Sequence, residues 1–235
     1  MPERKPKRRP KVRRADLAPL SRESIVRAAV ALADAQGLEA VSLRGVAAEL
    51  NAGFMRLYGH VSTKQELLEL MGDHVYGEVM AAGPLASGKW RRALTDLARR
   101  LREASLAHPW FSIVLAGRQR AGPNALVFTE AALEAISHDK AFARIDVALS
   151  ALRALNAYVL GAIASEAAER QARIETGLTE AQWRRQHWPA MAAAIASGKF
   201  PQIERVVRDA EHAEPEDEFE DGLQYLLDGI ASHLL

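Results

Sequence analysis

The apolar positions of this 235-residue chain recur at helical spacing along most of its length. Over Arg22–Gln36 the stripe is Ile25, Ala28/Ala29, Leu32 and Ala33; Ser21 can cap it, Leu20 can staple onto Ile25, and Gly37 ends it. Leu43, Val46, Ala47 and Leu50 form a second stripe about two turns long, with Ser42 as N-cap and Val41 placed to pack on Val46. Asn51-Ala52-Gly53 breaks the pattern. A third short segment, Phe54 to about His60, turns Leu57 and Val61 inward. A fourth helix begins at Ser62 or Thr63, where Gln65 or Glu66 three residues on completes a capping box. It runs through Leu67, Leu68, Met71, Val75 and Val79 and stops near Ala82, at Gly83-Pro84.

Beyond a linker at 84–89 the helical pattern resumes. Trp90, Leu94, Leu97, Leu101 and Ala104/Ala107 make one face; Arg91, Arg92, Arg99, Arg100 and Arg102 lie outside it and read as a solvated face. His108-Pro109-Trp110 interrupts the chain before a short apolar run, Phe111–Ala116, and a loop over 117–123. A helix from Asn124 passes through Phe128 and Ile136 to about His138. Residues 147–168 are apolar on all sides, which demands burial on more than one flank. They approach a membrane span in length, but Arg153 and Asn156 near the middle and the heavy alanine content argue against one. Residues 179–188 and 189–197 read as helical, 200–212 as a short helix or loop. The last helix, from about Pro215, presents Phe219, Leu223, Leu226/Leu227, Ile230 and Leu234 on one face and Gly222 and Gly229 on another. Both it and 147–168 carry more apolar surface than one subunit needs, so a four-helix homodimer interface is expected. The acids of 211–221 read mainly as a capping and solvated feature.

The fold class is therefore all-α. An N-terminal three-helix domain with a helix-turn-helix spans 20–83, its fourth helix acting as connector. A larger helical ligand-binding and dimerisation domain spans 84–235.

What the 42–64 stretch leaves outside points to its partner. Phe54, Met55 and Tyr58 are large residues with no inward role, interleaved with Arg56. Such a face suits a major groove: apolar contact to thymine methyls, a hydroxyl to phosphate, an Arg fork to guanine. Lys64 sits in the first turn of the following helix, where a cation opposes the helix dipole unless a phosphate is near. The expected DNA-facing set is Ser42, Arg44, Gly53, Phe54, Met55, Arg56, Tyr58, His60 and Lys64. The plain alternative is two ordinary helices packed in an all-α core.

These residues carry a resemblance. Ala47–Leu50, then Leu57-Tyr58-Gly59-His60-Val61, then Lys64-Gln65-Glu66-Leu67-Leu68 resembles the DNA-binding domain of TetR-family repressors over about residues 21–70. The chain departs from the family at Asn51 and Ala52, where Gly and Val are usual, but Asn accepts the same left-handed backbone. Phe54, Met55 and Arg56 fall where the family varies. The second half is similar to the ligand-binding domain of the branch that includes tetracycline repressors. The matching pieces are His108-Pro109-Trp110, Gly122–Leu126, Asn156–Gly161 and Glu218–Gly229. The resemblance implies a homodimer, double-stranded operator DNA and a small-molecule effector. At the positions that hold a drug–magnesium complex in tetracycline repressors it implies Met80, Ile113 or Val114, and Ser165 here, which speaks against a metal-chelated tetracycline.

Composition changes the picture in three respects. There are no cysteines, which excludes disulfides and thiolate sites and is compatible with a reducing cytosol. Residues 1–14 hold eight Lys/Arg against Glu3, a charge of 8 − 1 = +7, so the remainder carries about +1 − 7 = −6. With four prolines in 1–19, this is an expected disordered basic arm able to lie on phosphates. No apolar core follows it, so no signal peptide is expected and the cytoplasm is the expected location.

No phosphate loop, dinucleotide fingerprint, zinc-protease or serine-hydrolase motif occurs. Neither an enzyme nor a cofactor is expected, and no metal: His74 and Glu78, four apart, do not complete a site. Trp110, Phe111, Phe128 and Trp183, with Asn124, Asn156 and His187, are candidate lining for an apolar or amphipathic effector, each aromatic taken singly being more readily explained as plain core. The resulting reading is a ligand-responsive regulator, a repressor released from a palindromic operator by a small molecule. The rival is a small-molecule-binding or catalytic helical protein with a vestigial helix-turn-helix; a sequence-blind architectural DNA binder stands third.

Overall fold

A computed structural model describes residues 20–86, 88–116, 122–179, 182–183, 185–187, 192, 195–210 and 214–234. The basic arm and the 117–121 part of the loop lie outside the described residues, as does much of the expected 189–197 helix. The described elements are α1 (Arg22–Gln36), α2 (Leu43–Glu49), α3 (Phe54–Tyr58), α4 (Lys64–Ala81), α5 (Trp90–Ala107), α6 (Phe111–Ala116), α7 (Pro123–Ser137), α8 (Ile145–Thr176), α9 (Pro201–Asp209) and α10 (Pro215–His233). Short helical turns occur at Leu38–Ala40, Lys140–Phe142 and Ile195–Lys199, and no strand occurs among the described residues.

Local chemistry explains the first four boundaries. The Ser21 hydroxyl accepts from Ser24 N at 3.1 Å and Ser24 returns the bond to Ser21, closing a capping box. Ser42 accepts from Gly45 N at 3.0 Å. Asn51 takes φ 48°, the left-handed turn that its side chain tolerates. At α4 the choice between Ser62 and Thr63 resolves into a division of labour. Thr63 caps Glu66 N at 3.0 Å, while Glu66 Oε2 accepts from Ser62 N and Oγ at 2.9 and 2.8 Å. The other Glu66 oxygen takes Arg22 of α1 at 2.6 Å, tying the two helices together.

Ile25, Ala29, Val41, Val46, Leu57, Leu67 and Met71 are fully or almost fully buried and form one core under α1–α4. That core continues through Leu94, Leu97, Phe111, Ile136, Leu155, Leu223 and Leu227 without a gap. Arg100 closes the connection between the halves: it donates to Gly83 O at 2.6 Å and pairs with Asp96 at 2.8 Å. A cation is thereby held at the C-terminal end of α4, where the helix dipole favours it.

Three expectations change. The arginines of α5 are more than a solvated face. Arg99 holds Glu220 with two 2.7 Å bonds, Arg91 reaches Gln224 and Asp228, and Arg102 pairs with Glu166 at 2.7 Å with both side chains largely buried. Of the set, Arg92 and Arg99 are exposed, Arg99 while paired. Glu220, read as part of a solvated run, is thus a strap between α5 and α10. Second, α8 is buried along one stripe, Ala148, Ala151, Leu155, Val159 and Ile163, and its other flank is uncovered in the single chain. It is long and apolar enough, by length and composition, to cross a membrane. Third, Gly222 and Gly229 do different things. A Cβ at Gly222 would stand 2.5 Å from the Tyr158 hydroxyl, so that glycine serves packing within the chain, whereas nothing lies within 4 Å of one at Gly229.

Candidate DNA-binding and effector sites

On α3, Leu57 is fully buried and the neighbouring positions are not: Met55 is 77% exposed, Tyr58 48% and Phe54 37%. A five-residue helix is too short to persist alone. It is held by Leu57 beneath and by the Gly53 carbonyl, which accepts from Arg56 N at 2.9 Å. The exposed face is organised. The Arg44 guanidinium of α2 lies 5.6 Å from the Phe54 ring centre, and Phe54 and Tyr58 are 6.0 Å apart, so Phe54 is a platform for Arg44 as much as a free contact. Arg56, His60 and Lys64 are exposed, with Lys64 at the first position of α4. Ser42 spends its acceptor on the α2 cap, and Gly53 is the residue before α3. The nine predicted DNA-facing residues thus fall on and around the α2–α3 turn and the start of α4.

The predicted effector residues divide. Phe111 and Phe128 come together around Tyr76 of α4, which sits 5.5 Å from Phe111 edge-on and 4.8 Å from Phe128. Tyr76 was missed because it follows Val75 and so lies off the inward stripe. Burial, with the Asp73 charge added, pushes its hydroxyl pKa up. Asn124 is committed to structure: it and Ala125 N donate to the buried Asp73 carboxylate at 3.1 and 2.9 Å. Asp73 of α4 therefore caps α7 from outside, and Gly122 leaves room for it, since a Cβ there would come within 2.3 Å of the carboxylate. An aspartate inside an apolar helical stripe was the overlooked signal.

Trp110 is not pocket lining but a buried junction residue, its indole N–H donating to Asp34 of α1 at 2.7 Å. Asn156 is half-buried on α8. Trp183 and His187 stack on each other at 4.3 Å and are exposed, with no ring contact to the Tyr76 group among the described residues. At the positions implied for a drug–magnesium complex, Ile113 and Ser165 are exposed and Val114 is buried. No group of three or more His, Asp or Glu side chains placed to hold a metal ion occurs among the described residues.

An all-α chain with a helix-turn-helix at one end, joined by one long helix to an aromatic cluster in a larger helical domain, defines the class of effector-responsive DNA-binding regulators. Comparison with known proteins gives the family. The profile of the tetracyclin repressor-like C-terminal domain matches residues 83–234. The HTH-type transcriptional repressor DrrR1 of Streptomyces coeruleorubidus is 37% identical over 228 residues, covering 97% of this chain and 81% of that protein. The class A tetracycline repressor of Escherichia coli is 28% identical over 92% of this chain and 93% of its own. Among solved structures, ActR of Streptomyces coelicolor in complex with actinorhodin superposes with a TM-score of 0.74 at 27% identity, over 92% of this chain and 99% of that one. The chain belongs to the TetR family of helix-turn-helix transcriptional regulators.

Proposed function

We propose that the protein is a homodimeric repressor that places one α3 in each of two major-groove half-sites of a palindromic operator and is released by an aromatic small molecule. The observation that carries the DNA side is the contrast on α3 between a fully buried Leu57 and a 77% exposed Met55, an outward face that folding does not require. In this reading Arg44, Met55 and Arg56 meet base edges, while Ser42, Tyr58, His60 and Lys64 meet phosphates and Gly53 sets the turn. The basic arm of 1–19 adds further phosphate contacts, supported by its charge.

The effector reading rests on the Tyr76–Phe111–Phe128 group, three aromatic rings packed together beside α4. ActR, solved in complex with actinorhodin, supports a small-molecule effector. A ligand there displaces α4, and α4 carries Lys64 and the end of the helix-turn-helix.

The second copy is argued from the uncovered flank of α8 and its neighbour α10. Between them runs a groove of about 710 Å³ lined largely by Val147, Ala151, Ala154, Leu226, Gly229 and Ile230. Helices of a partner fill it, giving a four-helix interface, and α8 needs no membrane. In this reading the domains divide at 20–83 and 84–235, the protein works in the cytoplasm, and it catalyses no reaction.

The test is a mobility shift with the DNA upstream of its own coding sequence, with and without planar aromatic compounds. Arg56→Ala should cost about 1–3 kcal/mol and flatten the preference for that DNA over scrambled DNA. Lys64→Ala should weaken both DNAs alike. Equal binding of wild type to both DNAs would overturn the sequence-specific contacts assigned to α3.

A further inference from the structure

The junction between the helix-turn-helix domain and the effector domain contains a polar group that neither proposed site uses. His108, at the end of α5 and 13% exposed, has a carboxylate on each ring nitrogen. Its Nδ1 lies 2.9 Å from Asp34 Oδ1 on α1, and its Nε2 lies 2.9 Å from Glu78 Oε2 on α4. Asp34 Oδ1 also accepts from the Trp110 indole at 2.7 Å, and the second Glu78 oxygen lies 3.4 Å from His74 Nε2. The charged and titratable groups that face the ring are thus Asp34 from α1 and Glu78 from α4, with His74 behind Glu78.

A neutral imidazole carries one N–H. It can donate to Asp34 or to Glu78, leaving its bare nitrogen against the lone pairs of the other carboxylate. Only the imidazolium donates to both. We propose that His108 is the positioning residue that docks the DNA-binding domain onto the effector domain, and that it does so as an imidazolium bridging Asp34 and Glu78. Loss of its proton then frees one side of the bridge and loosens α1 from α4 and α5.

The sign follows from the surroundings. Burial lowers the His108 pKa, but the hydrogen bonds and charges of Asp34 and Glu78 outweigh it, and the net shift is upward from the usual imidazole value. The docking contribution is complete below the unfolded-state pKa and is lost as pH rises through the raised folded-state value. The position also matters to signalling. His108 leads to Trp110 (ring centres 5.7 Å), Trp110 to Phe111 (6.3 Å), and Phe111 to Tyr76 (5.5 Å), so the bridge ends one continuous row of rings that begins at the proposed effector group. The bridge itself depends on neither the operator nor the effector.

The test uses the full-length protein with ¹⁵N-labelled histidine, followed from pH 5.5 to 9. The His108 resonance is assigned by its absence in His108→Gln or, should that variant not fold, as the one of the seven that shifts in both Asp34→Asn and Glu78→Gln. Both His108 ring nitrogens should carry protons at pH 6.5. The midpoint should lie above the usual value, and each of Asp34→Asn and Glu78→Gln should lower it. Amide protection of the last turn of α1, corrected for the intrinsic pH dependence of exchange, should fall across the same midpoint in wild type and show no such step in Asp34→Asn. A neutral tautomer at pH 6.5, a midpoint indifferent to Asp34→Asn, or α1 protection that ignores His108 titration would overturn the proposal. Failure to shift any DNA would bear on the proposed function and leave this result intact.

Discussion

Removing the Asp73 carboxylate should test how α4 is joined to the effector domain. In Asp73→Ala, Ala125 N–H and the Asn124 amide lose their acceptor in a site that is 8% exposed, so water does not replace it. Loss of a capping bond costs about 0.5–2 kcal/mol, and a buried orphan donor costs about 1–3 kcal/mol. Both figures describe largely the same lost bond, so the expected destabilisation is about 2 kcal/mol rather than their sum. Gly122→Ala supplies the second arm. Gly122 has φ −81°, open to any residue, so the obstacle is steric alone: a Cβ 2.3 Å from the Asp73 carboxylate. Overpacking of this kind costs about 1–3 kcal/mol. The clashing atoms are absent in Asp73→Ala, so adding Gly122→Ala to that variant should cost almost nothing. The assay is urea unfolding of wild type, both single variants and the double variant at one fixed protein concentration, since the stability of the proposed dimer would depend on it. Additive losses, or an Asp73→Ala variant within about 0.5 kcal/mol of wild type, would refute the assignment of Asp73 as the outside cap of α7.

Two further outcomes follow from other contacts. The Arg99 hydrogen bonds hold the Glu220 pKa below its usual value. The pair's contribution is therefore present above the unfolded carboxylate pKa and lost as pH falls through the depressed folded value. Wild type should exceed Glu220→Gln in stability by no more than about 1 kcal/mol at pH 7, because the pair is partly exposed, and the gap should close in acid. Ile230→Glu, placing a charge in the α8–α10 groove, should raise the dimer dissociation constant at least ~100-fold, equivalent to about 2.8 kcal/mol, in sedimentation equilibrium.

The N-terminal helices were legible because their determinants are local. Ser21, Ser42 and Gly37 sit within a turn of the groups they satisfy, and Asn51 reports its own backbone. What escaped depends on partners far along the chain. Arg99 meets Glu220 and Arg102 meets Glu166, separations that no helical period encodes, so both arginines read as solvated. Gly222 and Gly229 are indistinguishable in sequence, and Tyr158 against one of them makes the difference. The apolar span at 147–168 left the end of α8 unmarked, because the segment after residue 168 is polar and largely exposed and carries no apolar period, yet it continues helically to Thr176. In the C-terminal half Phe111 and Phe128 stood out in the sequence by their size. Tyr76 and Asp73 were overlooked because α4 reads as a connector, and its contribution to that domain shows only once α7 is packed beside it.

The Arg100 grip on Gly83 has a mechanical consequence. With 18 residues, α4 is about 27 Å long. A tilt of about 5° about the gripped end carries Lys64, at the other end, through about 2 Å. Hydrogen bonds fail within a fraction of that displacement. Under the proposed function the clamp therefore sets a mechanical gain: a rearrangement small enough to pass for side-chain adjustment beside Tyr76 would arrive at the far end of the helix as a broken contact.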